Sequence, residues 1–291
     1  MSGREGFDPR LTPARFDLAA AHLEGQVAAE RFVGGERRTI TAEVADIRRL
    51  PRPDAPLDTQ ALCGESVVLY DEDEGWGWVQ LDSDGYVGYV AMHALGLPAA
   101  TPTHVVCVNR TFVYPAADLK QPVVAALPLG AQIAIDRQQG DFSHLRDGGF
   151  VFTPHIAPHA MREADFVAVA ERLTHTPYLW GGKSALGIDC SGLVQISLAR
   201  SGIVMPRDTD LQEKAGGVAL PIDAGLSGLQ RGDLIFWRGH VGIMCDAETL
   251  LHANAHHMSV ATEPLHRASA RILAKSQGSI TFACRFVQSV T

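Results

Sequence analysis

Several features that would assign a sequence to a common class are missing from these 291 residues. The five cysteines are widely spaced and include no CxxC pair, which argues against a zinc ribbon or a thioredoxin-like redox motif. No window reaches the roughly 18 consecutive apolar residues that a membrane-spanning helix needs. The formal net charge is −8, so neither nucleic acid nor an anionic membrane surface is an expected partner.

The N-terminal segment also lacks an apolar stretch of the length that a secretory signal requires. We therefore expect a cytoplasmic protein, a setting in which thiols stay reduced. What is present is the composition of an ordinary globular protein, with 46% hydrophobic and 20% charged residues. At roughly 100–200 residues per domain, the length predicts two or three domains.

The pattern of apolar residues changes along the chain. The first segment has helical periodicity, with Thr12 or Asp17 as a helix cap. Short alternating runs separated by acidic and glycine-rich turns follow twice, as a weak internal repeat that predicts two small β-barrels. Two helical patterns then precede a strand-rich stretch, which predicts an α+β domain. The predicted parts are an N-terminal extension with a helix (1–37), a first barrel (38–100), a second barrel (101–158) and an α+β domain (159–291).

The stretch "GIDCSGLVQISLARSG" places Cys190 where a helix is predicted to begin. Asp189 is a good N-cap residue, and Gly202 stands where a C′ glycine would end the helix. At the first helical position the partial positive charge of the helix end favours a thiolate. On this stretch alone, a nucleophile and a small buried hydrophobic residue are equally compatible with Cys190. The other cysteines fall in strand-like segments and are predicted to be core residues: Cys63, Cys107, Cys245 and Cys284.

Two downstream histidines favour the nucleophile. His240 begins "HVGIMC", the acidic "DAET" turns the chain, and His252 lies in the returning "LLHANA". In a hairpin centred on Asp246 the two histidines face each other, with Cβ atoms about 4.5–5.5 Å apart. One histidine would then be the base for the thiol and the other would orient it. A metal bound by both is the alternative, but no carboxylate or cysteine at a suitable spacing completes a site, so we expect no metal and no cofactor.

Four segments together carry a resemblance: "PYLWGGKSALGIDCSGLVQ", "MPRDTDLQ", "RGDLIFWRGHVGI" and "LLHANA" resemble the NlpC/P60 family of cysteine peptidases. The segments before them resemble bacterial SH3-like (SH3b) domains. The whole arrangement is similar to cytoplasmic γ-D-glutamyl-L-diamino acid endopeptidases that act on cell-wall peptides. The resemblance implies an α+β fold, in which a papain-like NlpC/P60 catalytic domain follows two small all-β SH3-like barrels.

The resemblance also implies roles for individual residues. Cys190 would attack the γ-glutamyl carbonyl. His240 would be the base and then the acid for the leaving amine, and His252 would hold the ring of His240. Tyr178 would stand near the oxyanion, with core packing as its alternative. The residues implied to bind substrate are Glu65, Tyr86, Trp180, Asp189, Ser191, Asp208 and Thr209.

Glu65 and Tyr86 belong to the first predicted barrel, where they would pair with and cover the free ammonium of an N-terminal L-Ala. The alternative is that Tyr86 and Tyr89 are ordinary barrel residues. The expected partners are murein peptides, L-Ala-γ-D-Glu-diamino acid, in cell-wall peptide recycling. An amidase or acyltransferase with the same triad, or an inactive wall-binding protein, is the alternative function.

Overall fold

The structure is a computed structural model that describes residues 7–222, 228–275 and 278–286. The chain divides into two compact units, Met1–Met161 and Arg162–Thr291. Within the described residues, the α-helices all lie in the second unit, and none is long and apolar enough to cross a membrane.

The first unit is built from short strands and three 3-10 helices. The strands are β1 (Leu18–Ala20), β2 (Arg31–Val33), β3 (Glu36–Ile40), β4 (Val44–Arg48), β5 (Leu57–Leu62), β6 (Ser66–Asp73), β7 (Trp76–Leu81), β8 (Val87–Ala91), β9 (Leu95–Gly96), β10 (His104–Val106), β11 (Arg110–Tyr114), β12 (Ala125–Pro128), β13 (Gln132–Ile133), β14 (Ile135–Gln139), β15 (Phe142–Leu145), β16 (Phe150–Phe152) and β17 (Ile156–Pro158). The 3-10 helices are Ala21–Leu23, Met92–Ala94 and Thr153–His155.

The predicted N-terminal helix is wrong. β1 pairs in parallel with β2, and only the 3-10 turn Ala21–Leu23 follows β1. Leu18 is fully buried and packs in one cluster with Trp78 and Val87. The guanidinium of Arg15 lies 4.5 Å from the ring centroid of Trp78. A short isolated helix is marginal in water, so packing and strand pairing override its periodicity.

A seven-stranded antiparallel sheet follows, in the order β5-β4-β8-β7-β6-β3-β9. Its strands surround one apolar core. The hairpin from β6 to β7 runs through the predicted acidic turn, where Glu74 and Gly75 have φ of 46° and 80°. Positive φ at both central residues is what a tight two-residue hairpin requires. The buried core residues are Ile40, Ala45, Ile47, Ala61, Val67, Leu69, Val79, Leu81, Tyr86, Val90 and Ala94.

The region of the predicted second barrel forms two antiparallel sheets, β12-β11-β16-β15-β14 and β13-β10-β17. The glycine-rich stretch "RDGGF" forms the hairpin between β15 and β16, with Gly148 and Gly149 at φ of 103° and 90°. This region has a core of its own, so it is a separate β structure. Its identity as a second SH3-like barrel stays a prediction. The buried core residues are Val106, Val113, Leu127, Ala131, Ile133, Val151 and Ile156.

The second unit combines helices with one large sheet. Its elements are α1 (Phe166–Arg172), β18 (Lys183–Ser184), β19 (Gly187–Ile188), α2 (Cys190–Arg200), α3 (Thr209–Ala215), β20 (Val218–Ala219), β21 (Leu234–Trp237), β22 (His240–Met244), β23 (Thr249–Asn254), β24 (Ser259–Pro264), α4 (Leu265–Ala274) and β25 (Phe282–Arg285).

The large sheet of this unit has six antiparallel strands in the order β20-β25-β21-β22-β23-β24. α2 packs on β22 and β23, while α1 and α3 contact α2. α4 packs against β23 and β24, with Leu265, Ala268 and Ile272 on its apolar side. The predicted α+β class is confirmed, and α4 adds a helix between the last two strands that the sequence pattern did not indicate.

Candidate active site

Cys190 begins α2, as the sequence predicts. The carboxylate of Asp189 accepts a hydrogen bond from the main-chain N–H of Gly192 at 2.7 Å and so caps the helix. After the helix, Gly202 has φ of 81°. Gly192 is required for a different reason: a Cβ there would lie 2.3 Å from the carbonyl oxygen of Gly182. The loop before the helix therefore passes directly over its first turn and encloses the cysteine.

The thiol of Cys190 is held between two elements. Oγ1 of Thr209, the first residue of α3, lies 3.9 Å from its Sγ, and the main chain of Val241 in β22 also hydrogen-bonds the sulfur. Burial, followed by the charge of Asp189, raises the pKa of the Cys190 thiol to about 11. The predicted preference for a thiolate is therefore wrong for the resting protein. The cost of desolvating a thiolate outweighs the favourable partial charge at the start of the helix, so the thiol needs a base to remove its proton.

His240 immediately precedes Val241 and is joined to His252. Nε2 of His240 lies 2.8 Å from Nδ1 of His252, and both rings are buried. Burial, followed by the charge of His252, lowers the pKa of His240 to about 3, so the ring is neutral and able to accept a proton. Thiol and imidazole thus form a neutral pair at physiological pH.

The predicted register of the histidine hairpin is wrong. β22 and β23 pair Ile243 with Leu251 rather than placing His240 directly opposite His252. Extended by one residue, this register sets Gly242 opposite His252, so the two histidines meet on a diagonal of the sheet. A diagonal neighbour is within reach of a ring side chain, and Gly242 has no side chain on that face to intervene.

Glu263 is a contact of the histidine pair that the sequence analysis missed. Its Oε1 lies 2.8 Å from Nε2 of His252. Arg271 in α4 donates to both carboxylate oxygens, with 2.6 Å between Nη1 and Oε2. Burial raises the pKa of Glu263, but the bonds from Arg271 and His252 outweigh it and hold that pKa far below its usual range. The carboxylate is therefore ionised.

The position of Glu263 follows from the next strand pair. β23 and β24 place Leu250 opposite Glu263 and His252 opposite Ala261. Glu263 therefore stands one diagonal step beyond His252 on the same face of the sheet. The turn at residues 255–258 contains His256 and His257 and sets this register. Counting outward from that turn is the sequence signal that would have found the carboxylate.

The same carboxylate bears on metal binding. Among the described residues, His252, His257 and Glu263 could each offer a ligand atom, and these atoms lie within 4.8 Å of one another. This group includes His252 but not His240, so the expectation of no metal held by both histidines stays a prediction. However, the guanidinium of Arg271 on Glu263 opposes a cation, and Nδ1 of His257 is bonded to Oδ1 of Asn254 at 3.0 Å. The arrangement fits proton handling better than metal binding.

Arg207 gives Asp189 and Ser191 a role that differs from the predicted one. This arginine is 1% exposed and donates to both oxygens of Asp189, at 2.9 and 2.7 Å, and to Oγ of Ser191 at 2.7 Å. Gly181 also donates its main-chain N–H to Asp189 at 2.8 Å. Asp189 and Ser191 are thus buried and bonded within the protein. They fix the loop around the cysteine, and a contact of either residue with substrate stays a prediction.

The other predicted residues of this unit are distributed around the thiol. Burial, followed by the charge of Cys190, raises the pKa of Tyr178, so its hydroxyl is protonated and lies within electrostatic range of the sulfur. Thr209 is at the sulfur itself, and Asp208 caps the same helix α3. Trp180 is 68% exposed on the loop before α2. A contact of Trp180 and Asp208 with substrate stays a prediction.

Glu65 and Tyr86 lie in the first unit. Tyr86 is 3% exposed and belongs to the core of the seven-stranded sheet, which favours its alternative as a barrel residue. Glu65 is also buried, and Oγ of Ser83 donates to its Oε2 at 3.3 Å. The hydroxyl of Tyr89 accepts a hydrogen bond from Arg15 at 3.1 Å. A substrate-binding role for Glu65 and Tyr86 stays a prediction.

All five cysteines are free thiols. Cys284 is buried in β25, as the prediction of a strand core requires. Cys63, Cys107 and Cys245 directly follow β5, β10 and β22 and are half-buried. Cys63 still packs against the core of the second β structure, whereas the core prediction is wrong for Cys107 and Cys245.

Two family models match the chain. The model of the bacterial dipeptidyl-peptidase Sh3 domain matches residues 47–95, within the first predicted barrel. The NlpC/P60 family model matches residues 175–272, which contain Cys190, His240 and His252. One SH3 domain is therefore shown, and neither match extends into the second predicted barrel.

Similar proteins are found among curated sequences and solved structures. The chain is 28% identical over 200 residues to dipeptidyl-peptidase 6 of Lysinibacillus sphaericus, over 67% of this chain and 69% of the relative. It is 28% identical over 221 residues to a gamma-D-glutamyl-L-lysine dipeptidyl-peptidase of Bacillus subtilis, over 69% and 73% of the two chains. The fold matches the crystal structure of an NlpC/P60 family protein from Bacillus cereus with a TM-score of 0.72 and 20% identity, over 86% of this chain and 99% of that one.

A buried thiol at a helix start, with a neutral histidine pair on the adjoining strands, is an arrangement for acyl transfer, and it lies inside the segment that the family model matches. These findings agree on one assignment: the chain is a hydrolase that contains an NlpC/P60 domain at residues 175–272 and an SH3 domain of the bacterial dipeptidyl-peptidase type at residues 47–95.

Proposed function

We propose that the protein is a cytoplasmic cysteine endopeptidase of cell-wall peptide recycling. In this proposal it hydrolyses the γ-D-glutamyl–diamino acid bond of murein peptides that have a free N-terminal L-Ala. The contact between His240 and His252, with the thiol of Cys190 bonded to the main chain of the adjacent Val241, is the observation that carries the proposal. The name of the relative from Bacillus subtilis supports the substrate class.

The reaction starts from a neutral thiol and a neutral imidazole. As Sγ of Cys190 forms a bond to the γ-carbonyl carbon, His240 accepts the thiol proton. His240 then returns this proton to the amine of the diamino acid as the amide C–N bond breaks, leaving a thioester on Cys190. A water molecule gives a proton to His240 as its oxygen attacks the thioester. His240 passes this proton to Sγ as the C–S bond breaks, which restores the thiol, and the released γ-glutamyl carboxylic acid loses its proton to solvent.

The negative charge that develops on the carbonyl oxygen needs hydrogen-bond donors. The main-chain N–H of Cys190 belongs to the first turn of α2, whose N–H groups have no partner within the helix. The hydroxyl of Tyr178 is protonated because burial raises its pKa. We assign these two groups to the oxyanion, where one such donor contributes on the order of 10²–10³-fold to kcat.

The preference for a free amino end is the part of the proposal that involves the first barrel. Here the carboxylate of Glu65 pairs with the ammonium of L-Ala. Acetylating that nitrogen removes the charge that this carboxylate would face and adds bulk beside it. Such a loss costs about 2–5 kcal/mol, which is roughly 30-fold to several-thousand-fold in rate.

Mass spectrometry of the products from defined peptides tests this function. The substrates are L-Ala-γ-D-Glu-L-Lys and its meso-diaminopimelate counterpart, each with a free and an N-acetylated amino end, and Cys190→Ala is the control enzyme. We expect L-Ala-γ-D-Glu and the free diamino acid from the free peptides, and at least about 30-fold slower cleavage of the acetylated ones. Equal cleavage of both forms would contradict the role of Glu65, and cleavage at another amide would contradict the proposed bond.

A further inference from the structure

We infer that Glu263, held in place by Arg271, is a positioning residue that sets the tautomers of both active-site histidines. The inference rests on the proposed function and adds to its triad a carboxylate that touches neither the thiol nor the reacting bond. Three hydrogen bonds, running from α4 to His240, carry the argument.

The hydrogen bond between His252 and Glu263 determines which nitrogen of His252 carries the hydrogen. Its Nε2 lies 2.8 Å from Oε1 of Glu263, and both side chains are almost entirely enclosed, with exposures of 1% and 10%. An ionised carboxylate has no hydrogen to give, so it accepts only. The hydrogen in this bond must therefore belong to Nε2 of His252.

The tautomer of His252 in turn determines the tautomer of His240. A neutral imidazole carries one N–H, so His252 with its hydrogen on Nε2 has only a lone pair on Nδ1. That Nδ1 lies 2.8 Å from Nε2 of His240. Nε2 of His240 must then be the donor, and its Nδ1 is the ring nitrogen left to accept the proton of Cys190. In the opposite tautomer this nitrogen already carries a hydrogen, and the ring is no base for the thiol.

Glu263 is itself held in place by Arg271 in α4. Arg271 binds both of its oxygens from the third turn of α4. α4 begins two residues after Glu263, at Leu265, and its apolar side is buried in the core of the unit. The carboxylate is thus fixed at its own strand and again through the helix. With His252 buried, a water molecule has little room to replace the missing acceptor.

The catalytic triad of serine proteases gives a scale for the expected loss of kcat. In serine proteases, replacing the aspartate that orients the catalytic histidine leaves the geometry intact but lowers kcat by about 10⁴, because the wrong tautomer forms. Glu263 acts one ring further away. We expect Glu263→Met, which has no acceptor, to lower kcat on the order of 100-fold with KM changed less than about twofold.

Two matched variants distinguish a positioning role of Glu263 from a role in which its ion pair only supports the fold. Glu263→Gln keeps an acceptor oxygen for His252, and we expect it to lower kcat no more than about tenfold. Arg271→Met breaks the same ion pair by removing the guanidinium but leaves a carboxylate that can still accept from His252, and we expect a smaller loss of kcat than in Glu263→Met, no more than about tenfold near neutral pH. If the ion pair only supports the fold, Glu263→Met and Arg271→Met lose the same activity, and that result would overturn the inference.

A substrate-free measurement keeps this inference separate from the proposed function. Long-range 1H–15N correlation spectra of imidazole rings distinguish Nε2–H from Nδ1–H forms. The wild type and Arg271→Met should show the Nε2–H form at both His240 and His252, whereas Glu263→Met should show Nδ1–H populations at both. Unchanged tautomers in Glu263→Met would overturn the inference, even if the murein peptides are cleaved as proposed. If the proposed substrate is wrong, the tautomer result still stands.

Arg271→Met also tests the inference if Glu263→Met fails to fold. Without the guanidinium, the pKa of Glu263 rises from its lowered value, so the carboxylate protonates at a higher pH and can then donate instead of accept. The acid limb of the pH profile of kcat should therefore move to higher pH in this variant. An acid limb that does not move would count against Glu263 as the group that sets the tautomers.

Discussion

The two compact units use charge in different ways. In the first, ion pairs lie mostly at the surface: the side chains of Arg37 and Arg49 are 66% and 68% exposed in their pairs with aspartates. In the second, Arg207 is 1% exposed opposite Asp189. Surface pairs contribute about 0–1 kcal/mol to stability, whereas a buried pair has to offset a large loss of solvation. The buried pair of Arg207 and Asp189 therefore needs a structural reason, and Asp189 provides one because it caps the helix that begins at Cys190.

Each buried pair near the active site holds a part of the reaction machinery. Asp189 caps the helix that presents the thiol, and its pair with Arg207 fixes the loop before it. Glu263 is bonded to the histidine pair, and Arg271 fixes it. The exposed ion pairs of the first unit hold no reacting group in place, so substitutions at buried and at exposed pairs are expected to have different effects.

The largest effect is expected at the nucleophile. Cys190→Ala should lower kcat/KM on the murein peptides by at least about 10⁴-fold, because nucleophile and base act as a unit. Cys63→Ala, at a half-buried thiol of the first unit, is the matched control and should leave kcat/KM within about twofold. Steady-state kinetics on folded proteins measure both, and a Cys190→Ala variant near wild-type turnover would refute the assignment.

The histidines should come next, and unequally. His240→Ala removes the base and should cost about 10³–10⁴-fold in kcat, whereas His252→Gln keeps a polar side chain and should cost about 10–100-fold. The comparison of kcat between the two variants checks the order of roles. Full activity in His240→Ala would exclude it as the base, and equal losses would contradict a purely orienting role for His252.

Stability offers a direct test of buried against exposed charge. Arg207→Met leaves Asp189 buried and unpaired, and we expect the free energy of unfolding of the second unit to fall by about 3–5 kcal/mol. Arg37→Met, at an exposed pair with Asp82, should change the stability of the first unit by no more than about 1 kcal/mol. Urea unfolding followed by hydrogen exchange in each unit measures both. Similar losses of unfolding free energy in the two variants would contradict the expected difference between buried and exposed ion pairs.

The smallest effect is a dependence of stability on pH. Burial lowers the pKa of His240 to about 3 from 6.5, so between these values the unfolded chain binds more protons than the folded one. Stability therefore falls as the pH decreases through this window, by up to about 1.4 kcal/mol per pH unit for this one group. His240→Gln should unfold with a shallower pH dependence from 6.5 downward. An unchanged slope in the urea midpoint would show that the ring is not buried in its neutral form.

The sequence predicts those parts of the site that depend on neighbouring residues. Asp189 and Gly202 identify the start and end of α2 because helix caps are local. The same local reasoning fails for the charge state of Cys190, since burial decides it and a helix start does not show burial. It fails for Arg207 as well, because an arginine usually indicates a surface position.

Other parts of the structure depend on distant pairing. The sequence shows that His240 and His252 belong to neighbouring strands, but the offset between them is a property of the whole ladder. Glu263 lies one strand further on, so its place depends on two registers in succession. Leu18 forms a strand and not a helix because Trp78 and Val87, far along the chain, cover it.

Trapping the acyl-enzyme tests most directly whether Cys190 is the nucleophile. The protein is mixed with L-Ala-γ-D-Glu-L-Lys, quenched in acid within the first turnover, and digested for mass spectrometry. The account predicts an L-Ala-γ-D-Glu group in thioester linkage on the peptide that contains Cys190, and its loss on incubation with hydroxylamine. The same group found on another residue, or product released during that turnover without any covalent adduct, would contradict it.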